Sequence, residues 1–488
     1  MEMVDYVRSI FIGNSVAEYD DALDKYFVET EAFRALIEGR VDVIAGDKGT
    51  GKTALYRMII SRQRQLPELK NIEILTAFNP TGSPVFQKLT QDKPLTEGQY
   101  KSIWKVYILS LVGNWVLSIA DGEGSKKFAK LDSILRDSGL RLDSDSPATV
   151  FGKLANLVKR FLHPDSVESS LTFSETGVPI FVQKYEYSNN KKEEYQEVSH
   201  EDALRICNEC VKELGVTAWF VLDRLDEAFQ GYPNIEVPAL RALLRTCLDM
   251  LEFSNIKIKL FVRCDLFRKI IGDGFVNLTH INANKTEIVW DEEDLLNLLC
   301  ERLKENQELI SSLKLTDSTN DKIFNRVFPE QVDVGDRKPT CWNWIMSRIR
   351  DGNNIKPPRN LIDLVFLARE AQLRRENREP RLYSADYPII ESDAIRRALS
   401  KLSHTRVEDT LMAEAGESVA LIYKFEGQKS EHNIESLSVL LGKEGGELLL
   451  AVKQLEEIGF LEKFGQSYKV PMLYREGLSI IQGKAFNV

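Results

Sequence analysis

One run of eight residues restricts the fold of this chain more than any other: Gly46-Asp47-Lys48-Gly49-Thr50-Gly51-Lys52-Thr53. Glycine, four residues, glycine and then Lys-Thr is the spacing of a loop that wraps a phosphate, provided that a strand precedes it and a helix follows. Both flanks are present. Residues 40–45 (RVDVIA) read as a short buried strand, 54–65 as a helix and 71–77 (NIEILTA) as a second strand. Strand, tight loop, helix, strand is the unit of an α/β sheet.

The chemistry requires this order. Glycines at 46, 49 and 51 let the backbone close around an anion, with the N–H groups of Lys48 and Thr50 among those facing inward. The following helix offers its positive end to the same anion. Lys52 supplies a compact cation at the β/γ position of a nucleotide, and Thr53 a hydroxyl ligand for Mg²⁺. The competing reading is a plain glycine-rich turn, which the two matching flanks disfavour.

A phosphate loop needs a carboxylate on another strand to orient Mg²⁺. Residues 216–222 (VTAWFVL) read as the most apolar strand in the sequence, and Asp223 ends it. A carboxylate at a strand end sits at the sheet edge where open α/β folds bind ligands. Asp223 is therefore assigned to Mg²⁺ through water. AAA+ enzymes usually place a catalytic glutamate next, but this chain has Arg224 there. Asp226 and Glu227 both stay open as the group that orients attacking water, with capping of the next element as the alternative for either. The nearest matches to a guanine-reading NKxD turn are residues 190–193 and 284–287. Both end in Glu and neither follows a strand, so ATP is expected over GTP.

Residues 256–262 (IKIKLFV) read as the strand after the acidic one, with Arg263 and Asp265 at its tip. They are candidates for sensing a γ-phosphate, or equally for a structural salt bridge. Arg359, in KPPRNLI, starts a helix after two prolines, where it could reach back to a nucleotide. Arg241, Arg245 and Arg268 are candidates for fingers acting across a subunit boundary.

The 488 residues carry a net charge of −10, with hydrophobic residues at 43% and charged residues at 28%, so wholesale disorder is excluded. The expected architecture is a P-loop core over 1–290, with a helical insertion over about 80–200. A helical lid over 291–404 and a winged-helix-like domain over 405–488 complete it. Within the insertion, 96–121 read as a long helix and 188–195 as an exposed loop; 286–290 read as a late strand. The lid is expected to be helical at 291–306, 320–328, 341–351, 359–376 and 391–402, and 463–470 to form a hairpin.

The tail over 405–488 holds 9 Lys+Arg against 13 Asp+Glu, and its would-be recognition helix over 446–458 has three acids and one lysine. Acids there would repel a phosphate backbone, so a protein partner or self-assembly is expected ahead of nucleic acid. The stretch LRRENREPR (373–381) is the most basic, but glutamates interleave it. Six cysteines without a leader sequence point to reduced thiols in the cytoplasm. The pair Cys207 and Cys210 falls in a helical pattern and reads as plain helix. Residues 103–120 are apolar, but Lys105, Gly113 and Asn114 favour a buried helix over a membrane span.

Several stretches in order, GNSVAEYD (13–20), LDRLDE (222–227), FVRCDLF (261–267), Trp290 before a long helix, PRNLIDL (358–364) and VPMLYREGL (470–478), together resemble the FunZ-type bacterial P-loop ATPases. That family is related to AAA+, STAND and KAP ATPases. The resemblance implies ATP hydrolysis with Mg²⁺ at a Walker-type site, in a nucleotide-driven switch or assembly protein. Some relatives occur in anti-phage defence islands. A defence role here would need a partner protein or assembly as its output, since no effector such as a nuclease triad is visible. A nucleic-acid-dependent ATPase similar to an origin-recognition or helicase-loading protein is the rival reading.

Overall fold

The computed structural model describes residues 2–77, 95–120, 124–141, 171–173, 179–186, 193–225, 233–272, 274–413 and 415–486. Along the first part of the chain the strands are β1 (Val43–Gly46), β2 (Ile72–Thr76), β3 (Leu171–Phe173), β4 (Pro179–Glu186), β5 (Glu193–Ser199), β6 (Thr217–Leu222), β7 (Ile256–Arg263) and β8 (Lys285–Glu287). Five of them form one parallel sheet in the order β2-β6-β7-β1-β8. β6 (TAWFVL) is apolar beyond its first residue, as burial on both faces demands. β7 (IKIKLFVR) carries Lys257, Lys259 and Arg263, of which Lys259 is buried but satisfied: its ammonium donates to the Asp42 carboxylate (2.8 Å) and the Val41 carbonyl (2.7 Å).

The chain divides into two compact units. The sheet unit comprises Thr30–Gly46 and Lys52–Ile288. Its longest helix, Glu97–Ala120, packs inside it: the Trp104 indole donates to the Ala239 carbonyl at 2.9 Å, and the Lys105 ammonium reaches both Glu201 and Asp249. Among the described residues only this helix is long and apolar enough to cross a membrane, and 67% of its most apolar window is buried within the protein. Cys207 and Cys210 lie buried in the His200–Glu213 helix, where burial pushes the Cys210 thiol up to about 12. An all-helical insertion over 80–200 is corrected by the antiparallel sheet β3-β4-β5, and Glu193–Ser199 is strand where a loop over 188–195 was expected. Residues 188–192 of that loop lie outside the described residues.

The second unit comprises the chain through Glu29, the loop Asp47–Gly51 and Val289–Val488. The expected core over 1–290 is therefore corrected at its start: the N-terminal segment belongs with the C-terminal helices. A buried cluster explains this. Arg302 donates to the Ile12 carbonyl (2.5 Å) and pairs with Asp20 (3.2 Å), whose other oxygen accepts the Tyr26 hydroxyl. Gly13, at φ +68°, passes beneath these three side chains, and a Cβ there would lie 2.8 Å from both Arg302 Nη1 and Asp20 Oδ1. Burial pulls the Arg302 guanidinium below its ordinary value, against the opposing pull of Tyr26 and Asp20.

The helices Glu292–Lys304, Asn320–Val327, Cys341–Arg348, Pro358–Glu376 and Ser392–Arg406 follow the expected pattern. The tail adds β9 (Lys429–His432), two helices (Ile434–Leu441 and Gly445–Glu457), the hairpin β10 (Glu462–Phe464) and β11 (Ser467–Lys469), and β12 (Ile481–Lys484). These strands form a sheet in the order β10-β11-β9-β12. Asn433 and Ser436 close a reciprocal capping box on the first helix, and Gly442 ends it in the left-handed conformation. Two of the four arginines in the basic stretch are paired: Arg375 and Arg381 bind Glu391, and Arg381 also binds the buried Glu376.

Candidate nucleotide site

Every strand of the main sheet is parallel, so all five carboxyl ends fall at one edge. β1 delivers Gly46 there, paired in register with Arg263 of β7. The chain then turns through Gly49 (φ +78°) and Gly51 (φ +104°), conformations that favour glycine, and enters the Lys52–Ser61 helix. The Lys52 ammonium folds back to donate to the Gly46 carbonyl (2.8 Å). The Thr50 hydroxyl donates to the Asp47 carbonyl (2.7 Å), which tightens the turn. Lys48 is partly exposed on the same loop.

Two further segments grip the loop. Trp290 donates its indole N–H to the Thr50 carbonyl at 2.8 Å. Pro357 and Arg359, at the start of the Pro358–Glu376 helix, cover Gly49 so closely that a Cβ there would lie 3.1 Å from the Arg359 Cβ and 3.3 Å from the Pro357 Cβ. Arg359 thus lies against the phosphate loop.

Asp223 follows β6 directly and is 9% exposed. Leu222 pairs with Leu260, so Asp223 is level with Phe261 near the end of β7, and Arg263 lies two residues beyond on the strand between β6 and β1. Arg224 takes φ +56°, a sharp turn at the strand end that a non-glycine residue seldom adopts. Asp226 and Glu227 lie outside the described residues. Tyr56, on the loop helix, feels the Asp223 charge and is hydrogen-bonded to Thr76. Burial, with the Asp223 carboxylate second, pushes the Tyr56 hydroxyl up to about 12. Thr53 is three residues before Tyr56 and shares its helix face. A hydroxyl and a carboxylate form an oxygen-only donor set, which fits Mg²⁺ completed by phosphate oxygens and water. Among the described residues, no group of three or more His, Cys, Asp or Glu is placed to hold a metal ion.

Arg263 makes a two-pronged bond to Asp265 (3.0 and 2.9 Å), the salt bridge that was one of its two expected roles. Burial raises the Asp265 carboxyl, but the Arg263 bonds outweigh it and hold it below its ordinary value. Of the proposed fingers, Arg241 donates to the Ile270 carbonyl and Arg245 pairs with Glu97, while Arg268 is exposed. Sequence reasoning missed Tyr56, which its helical spacing from Thr53 could have revealed. It also missed the Trp290 and Pro357 contacts, for which no sequence pattern exists.

A parallel five-stranded sheet whose first strand runs through this loop into a helix is the α/β P-loop NTPase fold. No protein-family model and no curated protein matches the chain. Among solved structures it is similar to the Walker-type ATPase of Pyrococcus abyssi, at 11% identity over 93% of this chain and 96% of that one, with a TM-score of 0.41. It is also similar to the Aeropyrum pernix ORC1 protein, solved in complex with DNA, at 11% identity, coverage of 96% and 97%, and a TM-score of 0.37. The ORC2 protein of Aeropyrum pernix, solved with ADPNP and ADP, shares 13% identity over 91% of this chain and 90% of that one, at a TM-score of 0.36.

Proposed function

We propose that this chain is a Mg²⁺-dependent ATPase of the FunZ type that acts as a nucleotide-driven switch or assembly protein in the cytoplasm. The observation that carries the reading is the loop itself. Gly49 and Gly51 hold positive φ, the loop lysine folds over Gly46, and a buried carboxylate lies at the same sheet edge. Lys52 would hold the β/γ-phosphates, with Thr53 and Asp223 holding Mg²⁺. Asp226 or Glu227 would orient water, and Arg263 and Arg359 would respond to the γ-phosphate. The metal would neutralise charge on the transferred phosphoryl group.

The tail, read as a winged-helix domain, would carry the output to a protein partner or a second copy, in keeping with a role in anti-phage defence. Arg375, Arg381, Arg396 and Arg397 are paired with carboxylates, and the 446–458 helix is acidic, so a nucleic-acid partner is disfavoured. The test is binding of single- and double-stranded DNA at 50 and 200 mM salt. Absence of binding at both supports the protein-partner reading. Tight binding that weakens steeply with salt, together with DNA-stimulated ATP hydrolysis, favours the rival.

A further inference from the structure

Trp290 sits where the chain leaves the main sheet. Two residues earlier, the Ile288 N–H donates to the Ala45 carbonyl at 2.8 Å, extending the pairing of β8 with β1 up to the edge of the phosphate loop. One residue later, Asp291 caps the Glu292–Lys304 helix by accepting the Asp294 N–H at 2.7 Å. The cap thus fixes the backbone that follows the indole. Its N–H meets the carbonyl of Thr50, a residue only 3% exposed.

The carbonyl of Thr50 and the N–H of Gly51 belong to one peptide unit. That unit is planar and trans, so the two bonds point in opposite directions. A donor fixed on the carbonyl therefore fixes the direction of the Gly51 N–H. Glycine at 51 leaves this peptide free to rotate, since no Cβ opposes the flipped conformation. A flipped peptide would present a carbonyl oxygen, rather than an N–H, to an anion in the loop.

We propose that Trp290 is a positioning residue for the phosphate loop: it pins the Thr50–Gly51 peptide so that the Gly51 N–H faces the nucleotide phosphates. This rests on the nucleotide-binding reading of the loop. Trp290 touches no phosphate itself and acts through Thr50.

The experiment uses the full chain and Mg-ATP, with wild type, Trp290→Phe and Lys52→Ala compared by calorimetric titration. Phenylalanine keeps an aromatic ring and removes the donor. Losing one buried hydrogen bond predicts a Kd for ATP raised roughly 3- to 10-fold, with the thermal midpoint of the nucleotide-free protein close to wild type. A second readout does not depend on the variant's stability. The Trp290 indole resonance, assigned by its loss in Trp290→Phe, is expected to shift when ATP is added to ¹⁵N-labelled wild type and to stay put in Lys52→Ala. A Trp290→Phe chain that binds ATP as tightly as wild type overturns the proposal, as does a Trp290 indole resonance that ignores ATP while wild type binds it. A wild-type chain that binds no ATP removes the nucleotide reading and this role with it, and is told apart from the other failures by the wild-type titration alone.

Discussion

Asp351 offers a quantitative test of the packing that surrounds the loop. Its Oδ1 accepts the backbone N–H groups of Asn353 and Ile355, each at 2.9 Å. Its Oδ2 is crowded by Gly459, where a Cβ would lie 2.7 Å away. The neighbouring Arg350 is turned to Glu462 of β10, at 3.0 Å. Burial pushes the Asp351 carboxyl from 3.8 up to about 6; the two backbone bonds oppose the rise, the Asp47 charge in the phosphate loop adds to it, and Arg350 opposes it weakly. Each factor of ten in proton affinity is worth about 1.4 kcal/mol.

The folded-state value is raised, so between 3.8 and about 6 the folded chain holds more proton than the unfolded chain. Stability from this group therefore falls as pH rises through that window, and the full cost of about 3 kcal/mol is present at neutral pH. Asp351→Asn keeps an Oδ1 acceptor for both N–H groups and removes the titration. The unfolding free energy of the variant minus that of wild type, from urea titrations, should rise by about 2 kcal/mol between pH 4.5 and 7.5. Taking the difference cancels the carboxylates common to both chains. An offset that stays constant over this range would refute the reasoning, because it would mean that Asp351 is not desolvated.

Two glycines make further predictions. Gly13→Ala should destabilise the chain by about 2–4 kcal/mol, because its Cβ would run into the Tyr26 hydroxyl and crowd Asp20 and Arg302 at a positive φ; a urea midpoint equal to wild type would contradict the tight cluster. Gly49→Ala adds a left-handed alanine, at a cost of about 1–2 kcal/mol, to contacts of 3.1 and 3.3 Å with Arg359 and Pro357. ATP affinity should fall about tenfold or more in a titration, and an unchanged Kd would show that the loop geometry is not set at Gly49.

What could be read from the sequence was local. The loop, its strand and its helix lie within two dozen residues, and the VTAWFVL run announces a buried strand wherever it occurs. Asp223 could be placed because a strand end is a local event. The N-terminal segment could not be assigned to its unit, since the Asp20–Arg302 pair joins residues separated by more than half the chain. β5 (EEYQEVS) is rich in Glu and Gln, and β4 (PIFVQKYE) is an apolar run broken by Gln and Lys, so neither shows the strict apolar alternation that marks a half-buried strand. The Trp290 bond ends on a backbone carbonyl, which carries no residue identity, so only three-dimensional proximity reveals it. Arg263 bonds twice to Asp265, a pair only two residues apart and so legible as a candidate salt bridge in the sequence.

The central claim is that the loop over 46–53 binds ATP for hydrolysis. The most direct measurement is phosphate release from Mg-ATP by the full chain, beside Lys52→Ala and a titration of ATP binding. The account predicts turnover that is lost with Lys52, because that ammonium stabilises charge on the transferred phosphoryl group. Turnover that persists at the wild-type rate in Lys52→Ala, or a wild-type chain that neither binds nor hydrolyses ATP, would contradict it.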